Sequence, residues 1–463
     1  MTARTVARSS RTLSKYGMPL RPSVKSRSSA PCMASAVTRE SGPNVPALRY
    51  AIRSSAGNCS RASAKPVGTS SVPASSGATP SFCTKTVPNV AHSCRLPLRE
   101  RRDTRRLLYG RGGMRVVIAD PPAYTPPYDH ALSEALSRLG ADVHLLTSRF
   151  RYGAVPSATG YTIDDSLYRL STGIGRTRPR LAVKALEHPL ALTRLGLSSC
   201  DVVHLQWVAS PDADAWLLRT RAPLVFTAHD LLPRRTAHHT HTWSRLFHRF
   251  DRIVVHSQSG RRTLAAFGVP EEKLRVIPHP VFRSDPSRTD DGRTVLALGV
   301  IRPYKGLPDA VEAVLAVAGA QLLVAGDARI PLDGLRAAAG SRAEWRLGYL
   351  SETEIEVALG AATIAAFPYS AEIDQSGALL QALGAGVPAV VYDVGGLGEI
   401  VGTFGAGCVV PPGDVAGLSA AIRLLLRDPD ELAQARAGAA RARDALTWDK
   451  AAAAHLALYE EVA

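Results

Sequence analysis

From residue 115 onward, apolar runs of about five residues alternate with stretches of helical period, a pattern that admits little besides βαβ units around parallel sheets. The first series of strands reads 115–119 (RVVIA), 142–146 (DVHLL), 201–205 (DVVHL), 223–227 (PLVFT) and 252–256 (RIVVH). Between the first two, Ala131, Leu132, Ala135, Leu136 and Leu139 recur at the spacing of a helix with one buried face. A proline-rich segment, 277–286 (IPHPVFRSDP), then breaks the pattern, because proline fixes φ and removes a donor. A second series follows at 294–298, 321–325, 362–367 and 388–392, with helical patterns at 308–318, 352–360, 377–385 and 415–427. The tail, 429–462, reads as helical throughout. The expected fold class is α/β, with two facing doubly wound Rossmann-like domains, 114–285 and 286–445. The last segment, 446–463, is expected as a helix returning to the first domain. Ligands of such sheets sit at the carboxyl ends of the strands, which here face one cleft.

The chain has 463 residues and a net charge of +16, which taken alone points to nucleic acid or membrane. The charge is not spread evenly. Residues 1–113 hold 20 Lys and Arg against Glu40, Glu100 and Asp103, so the body carries a net −1. No nucleic-acid partner is therefore expected of the body. The leader is rich in Ser, Arg, Ala, Pro and Thr without periodicity, a composition expected to be disordered. It reads as a transit peptide, as a basic arm, or as an over-extended start with Met114 opening the true product. Its four cysteines form no CxxC pair, and Cys200 and Cys408 of the body read as small hydrophobes. No run of 18 apolar residues occurs, so a cytoplasmic enzyme is expected, with peripheral contact at the inner face of a membrane left open.

Two segments carry chemistry. GVIRPYKG, 299–306, follows a strand directly and places Arg302 and Lys305 in a glycine-containing loop, the outline of a phosphate site. In 368–388, PYSAEIDQSGALLQALGAGVP, a polar loop leads to Ser376 and Gly377, which open an apolar helix and leave its first N–H groups for an anion. Asp374 precedes that helix and Gln381 lies within it.

Together with RVIPHPVF before the linker and the run continuing to VGGLGEIV, these segments resemble glycosyltransferase family 4 over essentially 115–460. The resemblance implies the two-domain GT-B fold, a nucleotide-diphosphate sugar as donor and retention of anomeric configuration. It implies that Arg302 and Lys305 hold the donor diphosphate together with the helix start at Ser376 and Gly377. The family's paired glutamates fall on Asp374 and Gln381 here, seven positions apart and one fewer than the family's count. Asp374 would contact hydroxyls of the donor sugar, and Gln381 the ribose, without an anionic acceptor. Gly348, Tyr349 and Leu350 resemble the segment that reads the nucleobase, and His229 occupies the place of a histidine facing the donor sugar. His229 and Asp374 are thus the expected catalytic pair.

On the acceptor side, the first βα loop (DPPAYTPPYDHAL, 120–132) is built from Pro and Tyr, and Tyr124 and Tyr128 offer flat faces or pack against their own domain. His204, Gln206 and Trp207 close a neighbouring strand. His238, His239 and His241 cluster without ligand spacing, no Asp-x-Asp motif is present, and no metal or other cofactor is expected. Small-molecule, lipid-linked and saccharide acceptors all remain open. So do two rival readings: a GT-B phosphorylase or epimerase, and a binding protein in which Gln381 marks a degenerate donor site.

Overall fold

The computed structural model describes residues 113–463 apart from 152, 176, 177, 234 and 371–373; the leader expectation lies outside the described residues. The first domain runs β1 (Arg115–Asp120), α1 (Pro126–Arg138), β2 (Asp142–Ser148), β3 (Thr162–Leu167), α2 (Arg169–Gly173) and α3 (Arg178–Gly196). It continues with β4 (Val202–Leu205), α4 (Pro211–Leu217), β5 (Leu224–Thr227), α5 (Thr240–Arg249), β6 (Arg252–Val255), α6 (Gln258–Ala266) and β7 (Leu274–Val276). The second domain runs β8 (Thr294–Leu298), α7 (Leu307–Leu315), β9 (Gln321–Gly326), α8 (Asp333–Ala339), β10 (Ala343–Leu347), α9 (Glu352–Ala361) and β11 (Ile364–Phe367). It ends with α10 (Gly377–Gly384), β12 (Ala389–Tyr392), α11 (Gly396–Phe404), β13 (Gly407–Val410), α12 (Val415–Arg427), α13 (Pro429–Ala445) and α14 (Trp448–Glu460).

The first domain carries a seven-stranded sheet in the order β3-β2-β1-β4-β5-β6-β7, and the second a six-stranded sheet in the order β10-β9-β8-β11-β12-β13. Every pairing is parallel. The strand order reverses between β1 and β4 in one sheet and between β8 and β11 in the other, with Ile118 beside His204 and Leu296 beside Ala365. At such a reversal the loops after the two strands diverge to opposite faces, which opens a crevice at their carboxyl ends. The central strands β4, β5, β11 and β12 are buried along their length, as strands covered by helices on both faces must be.

The tail is not one helix. Leu446 leaves helical geometry, and the Thr447 hydroxyl accepts the Lys450 N–H to start α14 afresh. That break lets α14 turn back onto the first domain, where Ala451, Ala452, Leu456 and Tyr459 pack with Val116, Ile118 and Leu132. The Tyr459 hydroxyl meets His204 Nδ1 at 2.7 Å, and Arg138 pairs with Asp449 at 2.7 Å. The chain therefore crosses between domains twice, and the crossings touch: the Val281 N–H donates to the Leu446 carbonyl at 3.0 Å.

Candidate functional site

The crevice between β8 and β11 gathers the cationic loop and the exposed start of α10. After β8, Pro303–Lys305 form a single 3-10 turn, and Gly306 adopts a left-handed φ of 64°. A Cβ there would lie 1.8 Å from the Pro368 carbonyl oxygen, so only glycine lets the two loops meet. The Ser370 N–H locks them by donating to the Tyr304 carbonyl at 2.8 Å. The Lys305 ammonium sits 5.1 Å over the Tyr369 ring, while Arg302 is exposed. Among the described residues, neither cation pairs with a carboxylate.

Ser376 caps α10 by accepting the Leu379 N–H, and its hydroxyl shares a 3.0 Å hydrogen bond with the Tyr369 hydroxyl. Tyr369 thus ties the helix start to Lys305. Gly377, the first helical residue, is exposed with open space where a side chain would stand. Gln381 is half-buried one turn on, its side chain hydrogen-bonded to no described residue. Gly348 has φ of 131° at the end of β10, Tyr349 is 66% exposed and lies against Gly153 of the first domain, and Leu350 packs on the second domain's core.

Asp374 is fully buried, and both its oxygens are engaged by the opposite domain. One accepts the His256 N–H at 2.5 Å; the other accepts the Ser257 hydroxyl. Burial pushes the carboxyl up to about 6, against the two hydrogen bonds that favour its charged form. Glu399 on α11 makes a matching contact, accepting the Gln258 and Ser259 N–H groups at 2.9 and 3.0 Å. Two carboxylates of the second domain thus complement the positive end of α6. For Asp374 to contact hydroxyls of a donor sugar, as the sequence reading expects, these bonds would have to be exchanged.

His229 follows β5; its Nε2–H donates to Gln206 Oε1 at 2.9 Å, and its Nδ1 lies 3.4 Å from His256 Nε2. Its ring stacks on Trp207, with centroids 5.5 Å apart. Burial, with His256, His279 and His204 nearby, holds its pKa well below the usual imidazole range. At neutral pH it is an uncharged, oriented donor and acceptor.

The two tyrosines of the first loop separate. Tyr124 is 61% exposed and stands edge-on to Trp207, so it does face outward. Tyr128 does not: it is 2% exposed, edge-on to His229 and packed against His256, His279 and Trp448. It lies on the inner face of α1, whose helical phase turns it into the core rather than toward an acceptor. The sequence reading also missed Asp120 and Asp129, buried carboxyls in contact, both raised first by desolvation. Asp120 Oδ2 accepts the Tyr124 and Thr125 N–H groups and so fixes the loop. His239, of the cluster read as lacking ligand spacing, pairs with Asp212 at 3.0 Å, and no group of three metal-ligating side chains occurs among the described residues.

Comparison with known proteins agrees with the two-domain fold. Residues 128–283 match the family description Glycosyltransferase Family 4, and residues 292–428 match Glycosyl transferases group 1. A glycogen synthase of Mycobacterium tuberculosis is 28% identical over 71% of this chain and 89% of its own. A 2-deoxystreptamine glucosyltransferase of Streptomyces kanamyceticus is 28% identical over 60% of this chain and 74% of its own. Among solved structures, a sucrose-phosphate synthase of Thermosynechococcus elongatus superposes with a TM-score of 0.61 at 18% identity, covering 75% of this chain and 98% of that one. Anabaena HepE, solved with UDP and glucose, superposes with a TM-score of 0.52 at 15% identity over 75% of this chain and 100% of its own. With two parallel sheets facing across a cleft and matches spanning both domains, the chain is a glycosyltransferase and belongs to family 4 of these enzymes.

Proposed function

We propose that the chain transfers a hexose from a nucleoside-diphosphate donor to an acceptor hydroxyl with retention of configuration. The observation that carries this reading is the pair of cations Arg302 and Lys305, without carboxylate partners among the described residues, and joined through Tyr369 to the α10 start. A diphosphate placed there meets Lys305 as a point charge, Arg302 as a planar fork and the helix N-terminus as a dipole. As the bond between the anomeric carbon and the phosphate oxygen breaks, these groups stabilise the negative charge that develops on the departing nucleotide. The acceptor oxygen bonds to the same face of that carbon, and its proton passes to the leaving phosphate oxygen. His229, neutral and held by Gln206, orients the sugar. Gly348, Tyr349, Leu350 and Gln381 take the nucleoside. The transfer proceeds without a divalent ion. Asp374 takes up sugar hydroxyls when the domains separate enough to release His256 and Ser257.

The solved relative HepE contains UDP and glucose, and the kanamyceticus relative is named for glucosyl transfer; both support a UDP-hexose as the first donor to try. The test is calorimetric titration of the full chain with UDP and with GDP, beside Lys305→Ala. Binding of one nucleotide that weakens by about tenfold or more in the variant supports the donor site. A folded chain that binds neither overturns it.

A further inference from the structure

The surface of the first domain carries an amphipathic face that the donor site does not use. Helix α3 presents Leu181, Leu186 and Leu190 to solvent at 69%, 77% and 71% exposure. Leu170 on α2, 70% exposed, stands beside it: the Glu187 carboxylate accepts the Leu170 and Ser171 N–H groups at 2.8 and 2.9 Å. These leucines are not loosely placed. The opposite face of α3 buries Ala191, Leu192 and Leu195, and His188 bridges the Tyr168 hydroxyl at 2.7 Å and Asp214 at 2.6 Å. The helix is pinned so that Leu186 and Leu190, which share its outer face, must point outward, while Leu181 is exposed half a turn round near the helix start.

Charge identifies what covers that stripe. Between 169 and 194 the sequence holds six Lys and Arg against the single acid Glu187, in a body whose net charge is near zero. A second copy would bring two such basic stretches together, which repels. A surface that is apolar beneath and anionic at its skin satisfies both features at once. We infer that α2 and α3 lie in the interface of an anionic lipid bilayer, the leucines among the acyl chains and the bases at the phosphates. The helix lies in the plane of the membrane, since no described helix is long and apolar enough to cross one.

The face adjoins the acceptor side. The Lys184 ammonium lies 4.7 Å over the Tyr168 ring and is close enough to Asp120 to be affected by its charge, and Asp120 holds the Tyr124 loop. A bilayer on α3 therefore delivers its head groups to that loop, and the acceptor class is an amphiphile with a hydroxyl in its head group. This identification of the acceptor rests on the transferase reading above; the docking itself does not.

The test is co-sedimentation of the full chain with vesicles of phosphatidylcholine alone and of phosphatidylcholine mixed with phosphatidylglycerol, compared with the double variant Leu186→Glu, Leu190→Glu. Both proteins carry the basic leader, so the difference between them belongs to the leucines. The parent is expected on the mixed vesicles, and the variant's bound fraction is expected to fall about tenfold. The ratio should widen as salt screens the leader. Equal binding of parent and variant overturns the proposal. So does a parent that is dimeric by sedimentation velocity, with a monomeric variant and no vesicle binding by either. Heats of nucleotide binding, unchanged in the variant, show that it is folded and keep failure here distinct from failure of the donor site.

Discussion

The Asp374 carboxylate reaches across the cleft to the backbone N–H of His256 at 2.5 Å, joining residues 118 apart in the chain. The contact closes the two domains on each other through a buried carboxyl. Its carboxyl stands at about 6 against an ordinary 3.8 because burial outweighs its hydrogen bonds.

A group whose folded pKa is raised binds its proton more tightly folded than unfolded. Its favourable contribution is complete below about pH 4 and is lost as pH rises through about 6. Asp374→Asn should remove this dependence. Urea unfolding of parent and variant should show a difference in stability that changes by about 3 kcal/mol across that window. A constant difference would mean that the carboxyl ionises alike in both states.

Arg302 and Lys305 should not respond alike to substitution. Arg302→Lys keeps the charge but loses the planar fork, so nucleotide affinity should fall several-fold, short of the loss in Arg302→Ala. Calorimetry on the three proteins checks the order. If lysine restored full affinity, Arg302 would be acting only as a distant charge.

Gly306 is the closest approach of the two donor loops. Gly306→Ala places a methyl against the Pro368 carbonyl and strains a φ of 64°. The variant should lose about 3 kcal/mol of stability, or shift the loops and weaken nucleotide binding. Thermal denaturation together with titration would read either result. Parent-like values in both would show that the loops yield freely.

Tyr128 holds a hydroxyl in the core with no hydrogen-bond partner among the described residues. Tyr128→Phe removes that desolvated group and should stabilise the first domain by about 1 kcal/mol in urea unfolding. A loss of stability would place a water molecule on the hydroxyl.

The crevice between β8 and β11 was legible because its parts are local. GVIRPYKG and DQSGALLQALGAG each lie within one strand–loop–helix unit, so a short stretch of sequence specifies both the geometry and the charge. The commitments of Asp374 and Glu399 were not legible, because their partners, three backbone N–H groups and the Ser257 hydroxyl, lie more than a hundred residues away. Helix α3 escaped the periodicity argument for the opposite reason: its leucines occupy both faces, so no polar face marks the solvent side. Edge strands β3 and β10 escaped as well, since Thr162–Leu167 and Ala343–Leu347 carry charged residues where central strands are apolar. Tyr128 and Tyr124 looked equivalent, and only the start of α1 at Pro126 decides that one turns inward.

The two passages of the chain between domains, one before β8 and one at Leu446, run side by side and share a hydrogen bond from Val281. Two adjacent tethers act as a door does on paired hinges, leaving one axis of swing and suppressing twist and slide. Each opening then retraces a single path, and the Asp374 and Glu399 contacts return together to the same helix end. Severing either tether would leave the other as a swivel, and the cleft would lose its registration before either domain lost its fold.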